Sequence, residues 1–209
     1  MVDKFMLSGL YHKTIGRLLE CARLYRLNLT GYAKLDVPAI PEGFEFMFPD
    51  LSNIEQLRLH YQAIPGKIDR IIKRLESNDY RCFAYKETRS GQIAYTRWLC
   101  YREFFSAELR KTLRFSDKEV LTLDSYTAPD YRHSGLHHAM NIAMLNWLKD
   151  NTGLQFVYMV IKCFIPHLTK IPLDLGYRPI STKVYPKKGS FTELIKLVTG
   201  KIKIKHEKD

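Results

Sequence analysis

A mixed α/β or α+β layered domain is what this sequence predicts, on three observations. Strand-like and helix-like segments between residues 43 and 185 follow the order strand, two helices, several strands, helix, strand, short helix, strand. Segment 134–149 carries a clear apolar stripe at helical spacing, with Leu136, Ala139, Met140, Ala143, Met144, Trp147 and Leu148 on one side. Segment 154–161 is a near-continuous apolar run, the mark of a strand buried on both faces.

Taken in order, residues 4–28 place Leu7, Leu10, Tyr11, Leu18, Leu19, Ala22, Tyr25 and Leu29 on one stripe, which predicts an N-terminal amphipathic helix. Its other face holds Lys4, Lys13, Arg17, Arg23 and Arg26. Residues 36–41 contain Pro38 and Pro41 and read as a linker, since proline cannot sit in a helix interior. This divides the chain into 1–40, a folded domain over 41–190, and a basic tail over 191–209. Within the domain, 43–48 is a strand candidate. A helix towards Ile64 would be capped by Asp50 or Ser52, with Glu55 completing a capping box. After the Pro65-Gly66 break, Ile68, Ile71, Ile72 and Leu75 predict a second helix over 68–76. Segments 80–85 and 92–101 read as a hairpin turning at Arg89-Ser90-Gly91. Segment 103–114 fits a long loop or a short helix. Residues 119–127 alternate as a strand does. Past Pro166 a helical turn is expected to stop at Pro172, and a last strand to run to Tyr185.

Composition narrows the setting. The 209 residues are 45% hydrophobic, enough for a sizeable core. No apolar run approaches the ~18 residues a membrane-spanning helix needs. The N-terminus lacks the pattern of a secretory signal, so a cytoplasmic location is expected. Cys21, Cys82, Cys100 and Cys163 stand far apart with no Cys-x-x-Cys, and read as packed thiols rather than a zinc or redox site. The net charge of +11 points to an anionic partner, a description that fits a phosphorylated small molecule, a nucleic acid, an anionic membrane or a glycan equally. No nucleic-acid-binding signature is present. The basic termini are expected to meet an anionic membrane or glycan surface, or the N-terminal stripe to pack on the domain or on a second copy as a homodimer.

The segment from Thr127 to His137 joins a strand directly to the best helix. A helix N-terminus presents unpaired backbone N–H groups and the positive end of the helix dipole. Gly135 would let a ligand approach the main chain, Arg132 adds a fixed positive charge, and Ser134 is a candidate cap. That is a phosphate-site pattern, though a plain capped turn would look the same.

Pro129-x-Tyr131-Arg132-x-x-Gly135-Leu136 resembles the acyl-CoA signature of the GNAT superfamily of N-acyltransferases, Arg/Gln-x-x-Gly-x-Gly/Ala. His137 stands where that pattern ends in a small residue. Leu175-Gly176-Tyr177 is similar to the family's Leu-Gly-Phe element, and the order of elements over residues 43–185 fits as well. The resemblance implies a mixed, mostly antiparallel central sheet flanked by helices. It also implies an acyl-CoA-dependent N-acetyltransferase moving an acetyl or short acyl group to an amine, on a small molecule or an amino sugar, with acetyl-CoA or another acyl-CoA as co-substrate and no metal. A non-catalytic acyl-CoA-binding module is the alternative. The backbone of Arg132, His133, Ser134, Gly135, Leu136, His137 and His138 would hold the CoA pyrophosphate. The pantetheine arm would pair with the main chain near Ser125, Tyr126 and Thr127, and the strands ending at Thr127 and starting at Leu154 would splay to admit the thioester.

Catalytic groups are less legible. The family's usual tyrosine ahead of Leu-Gly-Phe is replaced by Ile171 and Pro172, which leaves Tyr158, His167, Tyr177 or water as proton donor. Asp124 is the candidate base, an acid in an otherwise uncharged strand beside the expected thioester; the same position could simply face solvent. Glu119 and Glu103 are weaker candidates, and Cys163 lacks a paired base for nucleophilic attack.

Overall fold

The computed structural model describes residues 19–40, 42–163 and 166–187, with backbone alone at 166–168. Along the chain come β1 (Leu19–Asn28), β2 (Phe44–Met47), α1 (Ile54–His60) and α2 (Lys67–Leu75). Then follow β3 (Tyr80–Glu87), β4 (Ile93–Cys100), β5 (Glu103–Ser106), β6 (Lys111–Arg114) and β7 (Glu119–Thr127). A 3-10 turn (Pro129–Tyr131) leads into α3 (Leu136–Asn151), β8 (Phe156–Lys162), α4 (Pro166–Asp174) and β9 (Arg178–Pro186). Seven strands form one sheet in the order β2-β3-β4-β7-β8-β1-β9. Every neighbouring pair is antiparallel except β7–β8. This is the mixed, mostly antiparallel sheet flanked by helices that the resemblance implied.

Each face of the sheet has its own cover. On one, α3 buries Leu136, Ala139, Met140, Met144, Leu145 and Leu148 against Phe83, Tyr95, Leu99 and Val120. On the other, α1 and α2 bury Leu57, Tyr61 and Ile71 against Cys82, Ala84 and Trp98. Further along that second face the β5–β6 hairpin packs Leu109 and Leu113 on Leu24, Leu121 and Tyr158.

Four expectations are corrected. Residues 19–28 are not helical: they form β1, an inner strand between β8 and β9, so the sheet draws on the chain ahead of residue 41. Tyr25, Leu27 and Leu29 pack under α3 while Ala22 and Leu24 pack under the hairpin. A strand buried on both faces loses its polar alternation, and its apolar residues then fall at helical intervals by coincidence. The earlier part of the expected helix and the basic tail lie outside the described residues. Residues 103–114 are a hairpin (β5–β6) rather than a loop or helix; strands of four residues are too short to show a period. Asp50 caps a 3-10 turn (Leu51–Asn53) that leads into α1, with Asn53 as its capping-box partner, and the Ser52 hydroxyl donates to Asp50 instead of forming the expected box with Glu55. α4 continues through Pro172 to Asp174, giving up one main-chain N–H bond instead of stopping there.

Candidate active site

The site forms where β7 loses its partners on both edges. Against β4 the register shifts: Thr96 pairs with Tyr126 and Trp98 with Leu123, so Asp124 and Ser125 together oppose Arg97. This is a β-bulge, and Asp124 takes the left-handed conformation (φ 45°) that bulges often place at their first residue. Against β8 the parallel pairing runs from Glu119–Phe156 to Thr122–Met159 and stops there. The main chain over 123–127 therefore shows an unpaired edge to a slot of about 170 Å³ between the two strands. Leu123, Asp124 and Ser125 line it from β7, Val160 and Ile161 from β8, and His137 and Asn141 from α3. The expected splay is present.

The slot reaches the first turn of α3, and the phosphate-type turn lies beside it. The Tyr131 N–H bonds Ala128 O (3.0 Å), Ala128 N–H bonds Ala94 O (2.9 Å), and the Tyr131 hydroxyl donates to Glu87 (3.0 Å). The turn is thus tied to the β3–β4 hairpin. His133 (φ 65°) and Gly135 (φ 79°) are both left-handed, and a Cβ on Gly135 would meet open space. Gly135 is the N-cap of α3 with no side-chain cap, so the helix's first N–H groups stay uncapped. Ser134 does not cap, because its hydroxyl donates to the Tyr131 carbonyl. Arg132, His133 and His138 are exposed around the turn, while Leu136 is core. The His137 ring is folded inward into the slot, where its Nδ1 meets the Tyr95 hydroxyl at 3.0 Å. Burial first, then the charge of Arg97, lowers its pKa to about 4, so the ring is neutral at pH 7. Only the His137 backbone remains available to a phosphate.

Asp124 lies at the expected place in an unexpected environment. Its carboxylate is ion-paired with Arg74 and with Lys67 (3.0 Å), both on α2. Burial alone would raise its pKa, but those two cations outweigh it and hold the group below the usual carboxylate range. A carboxylate so held is a poorer base than a free one. Asp124 also lines a cleft of about 550 Å³ with Arg70, Lys73, Arg74, Tyr80 and Glu103, so it stands between cleft and slot. Of the weaker candidates, Glu119 accepts from the Tyr158 hydroxyl (2.6 Å) and from Ser116, and Glu103 pairs with Arg114 (2.7 Å). The Tyr177 hydroxyl is buried without a partner. The Cys163 thiol is pushed up to about 12 by burial and by Cys21, which keeps it protonated. His167 has no described side chain.

Two buried polar groups carried no sequence signal. His60 is 4% exposed and heads a hydrogen-bonded chain of fixed direction. Its Nδ1–H donates to the Ile93 carbonyl (2.7 Å), which leaves Nε2 to accept from the Thr96 hydroxyl (3.0 Å). The Tyr61 hydroxyl donates to Thr96 (2.6 Å) and accepts from Trp98 Nε1–H (3.1 Å). Arg97 is 5% exposed; its Nη2 donates to Thr122 Oγ1 (2.9 Å) and its Nε has no partner. An arginine in an apolar strand reads as a surface residue until the fold covers it.

Among the described residues no cluster of three or more His, Cys, Asp or Glu could hold a metal, and no helix is long and apolar enough to cross a membrane. A larger cavity, about 740 Å³, lies near Arg26, Tyr32 and Arg178, away from the turn. It has neither the bulge nor the helix terminus, and the smaller slot carries the chemistry better.

No protein-family model matches the chain, and no curated protein matches it in sequence. Solved structures do match in fold. A GCN5-related glucosamine N-acetyltransferase region of a fungal multi-domain GH3 β-N-acetylglucosaminidase superposes with a TM-score of 0.59 at 14% identity, over 89% of this chain and 23% of that one. A tandem GNAT protein from the clavulanic acid biosynthesis pathway gives 0.56 at 12% identity, over 86% and 58%. AAC(6')-Iy, in complex with the bisubstrate analogue CoA-S-monomethyl-acetylneamine, gives 0.51 at 15%, over 69% and 97%. The chain spans less than three fifths of the length of the tandem protein. Its fold is that of the GCN5-related N-acetyltransferases.

Proposed function

We propose that this chain is an acyl-CoA-dependent N-acyltransferase, moving an acetyl or short acyl group to an amine. The observation that carries the reading is the slot opened between β7 and β8 beyond Thr122 and Met159, leading to the uncapped N-terminus of α3 at Gly135. The pyrophosphate would sit on the N–H groups following Arg132, an anion at the positive end of a helix. Pantetheine would pair with the free edge over 123–127. The thioester carbonyl would lie at the bulge, where a main-chain N–H freed from the ladder supports the oxyanion that forms when the amine attacks.

The acceptor would enter through the cleft on the α2 side and meet the thioester beside Asp124. Catalysis there rests on positioning more than on a strong base. The clamped Asp124 would orient the incoming amine, whose proton leaves through water, while collapse of the tetrahedral intermediate breaks the C–S bond and releases CoA as a thiolate that takes a proton from water. A small amine or an amino sugar fits the cleft's size. The reading carries a cytoplasmic location with it, because CoA thioesters are substrates of the cell interior.

Calorimetric titration with CoA and with pantetheine tests it. CoA should bind, and Arg132→Ala should weaken CoA roughly 10- to 150-fold, the worth of a hydrogen bond to a charged group, with a smaller effect at high salt. Pantetheine, lacking the pyrophosphate, should not distinguish the two proteins. Gly135→Val should weaken CoA further, since a branched residue at φ 79° both strains the turn and fills the open space above it. CoA binding unchanged in both variants would overturn the proposal. Tight CoA binding with no thiol release across a panel of amines would assign the chain to the non-catalytic alternative.

A further inference from the structure

Among the described residues, buried polar atoms without partners gather on one side of the sheet. The Arg97 Nε, the Asn141 Oδ1 and the hydroxyls of Tyr25 and Tyr177 all belong to the α3 face of the sheet or to α3 itself. Two of the four side chains, Arg97 and Asn141, line the slot. Arg97 carries a full charge at 5% exposure, and no described carboxylate forms an ion pair with it. The acid nearest in register, Asp124, turns to the opposite face, where Arg74 and Lys67 take it. Neither Tyr95 nor the neutral His137 ring beside it supplies a negative charge. A buried cation is costly unless an anion meets it, and a native fold seldom leaves one unmet.

The position of Arg97 says where such an anion would come from. Arg97 stands on β4 opposite the bulge, and it lines the slot together with His137 and Asn141 of α3. The phosphates belong outside, at the Gly135 turn, where the helix N-terminus faces solvent. What enters the slot itself is the thioester end of the donor. Its 170 Å³ leaves room for a chain of a few carbons beyond the sulfur.

We infer that the acyl donor of this chain carries a terminal carboxylate, a short dicarboxylic acyl group of the malonyl or succinyl kind, with Arg97 as the residue that selects it. The carboxylate accepts from the free Nε–H, while the Nη2–Thr122 bond keeps the group aimed. Neutral acyl groups leave the charge unmet and bind less well. The inference rests on the acyl-CoA reading above and narrows its donor.

Titration of the full chain with CoA, butyryl-CoA and succinyl-CoA separates the two claims, because the two thioesters share a chain length and differ in the carboxylate. Wild type should bind succinyl-CoA about 10- to 100-fold tighter than butyryl-CoA. Arg97→Gln should erase that preference. Thr122→Val, which frees the guanidinium from its aim, should reduce the preference without removing it. Equal affinity of wild type for the two thioesters, with CoA bound, overturns this inference and leaves the acyl-CoA reading standing; that comparison needs no variant. A drop in CoA affinity in Arg97→Gln with the preference intact would assign the guanidinium to the pantetheine arm and overturn it too. Failure of CoA itself to bind overturns both.

Discussion

The two faces of the sheet handle their buried polar groups in opposite ways. Under α1 and α2, polar and charged groups answer one another within the protein. His60, Thr96, Tyr61 and Trp98 form one closed chain ending on a carbonyl, and Asp124 is matched by Arg74 and Lys67. Under α3, Arg97, Asn141, Tyr177 and Tyr25 keep atoms with no partner. The same sheet thus has a face that is complete and a face that is unfinished, and the bulge at Asp124 and Ser125 lies between them. A complete face supplies rigidity. An unfinished one holds a place for something that arrives later. Substitutions on the first should therefore change stability, and substitutions on the second should change ligand binding.

Acid offers the largest effect, because it reaches both faces. His60 and His137 each have a pKa lowered to about 4, mainly by burial, against an unfolded value of 6.5. Their neutral forms are favoured in the fold, so stability is full above about pH 6.5 and is lost as pH falls towards 4. At 1.36 kcal/mol per unit, the loss by pH 4 reaches about 3 kcal/mol for each ring. Below that, protonation of Asp124 removes a further share. Urea melts from pH 7.5 to 4 should follow this course, and His60→Gln should flatten it; a flat profile in wild type would break the comparison at its base.

Asp124→Asn comes next. It strips the counter-charge from Arg74, whose side chain is 6% exposed, and should cost about 3 kcal/mol, or roughly 6–12 °C in Tm. CoA affinity should barely move. A variant with unchanged Tm and a turnover reduced by roughly 10²-fold or more would instead restore Asp124 as the general base.

Thr96→Val should cost less, about 1–3 kcal/mol, by leaving His60 and Tyr61 facing a methyl group, again with CoA binding intact. Arg97→Met should have the smallest effect on stability and the opposite tendency. An unpaired buried charge is replaced by an apolar chain, and without ligand the Tm should hold or rise. A large loss there would mean that Arg97 belongs to the complete face after all.

How far the sequence alone reached differs between parts of this molecule. The 3.6-residue stripe of α3, the hairpin of β3 and β4, and the strand–turn–helix at Arg132 and Gly135 were legible, because each is encoded by spacing or by a residue with a special backbone range. Their pattern also carried the resemblance that implied the fold. Segment 19–28 was read as helix because a strand covered on both faces has no polar side to reveal its period. Asp124 was picked out by its position, yet its partners Lys67 and Arg74 lie 57 and 50 residues earlier, on a helix that the strand's own sequence does not mention. Arg97 showed nothing at all. Local chemistry determined which segments could be helix, strand or anion-binding turn. Only the packing of α2 and α3 on opposite sides of one bulge decided which charge is answered and which is left waiting, since burial and pairing are properties of neighbours in space.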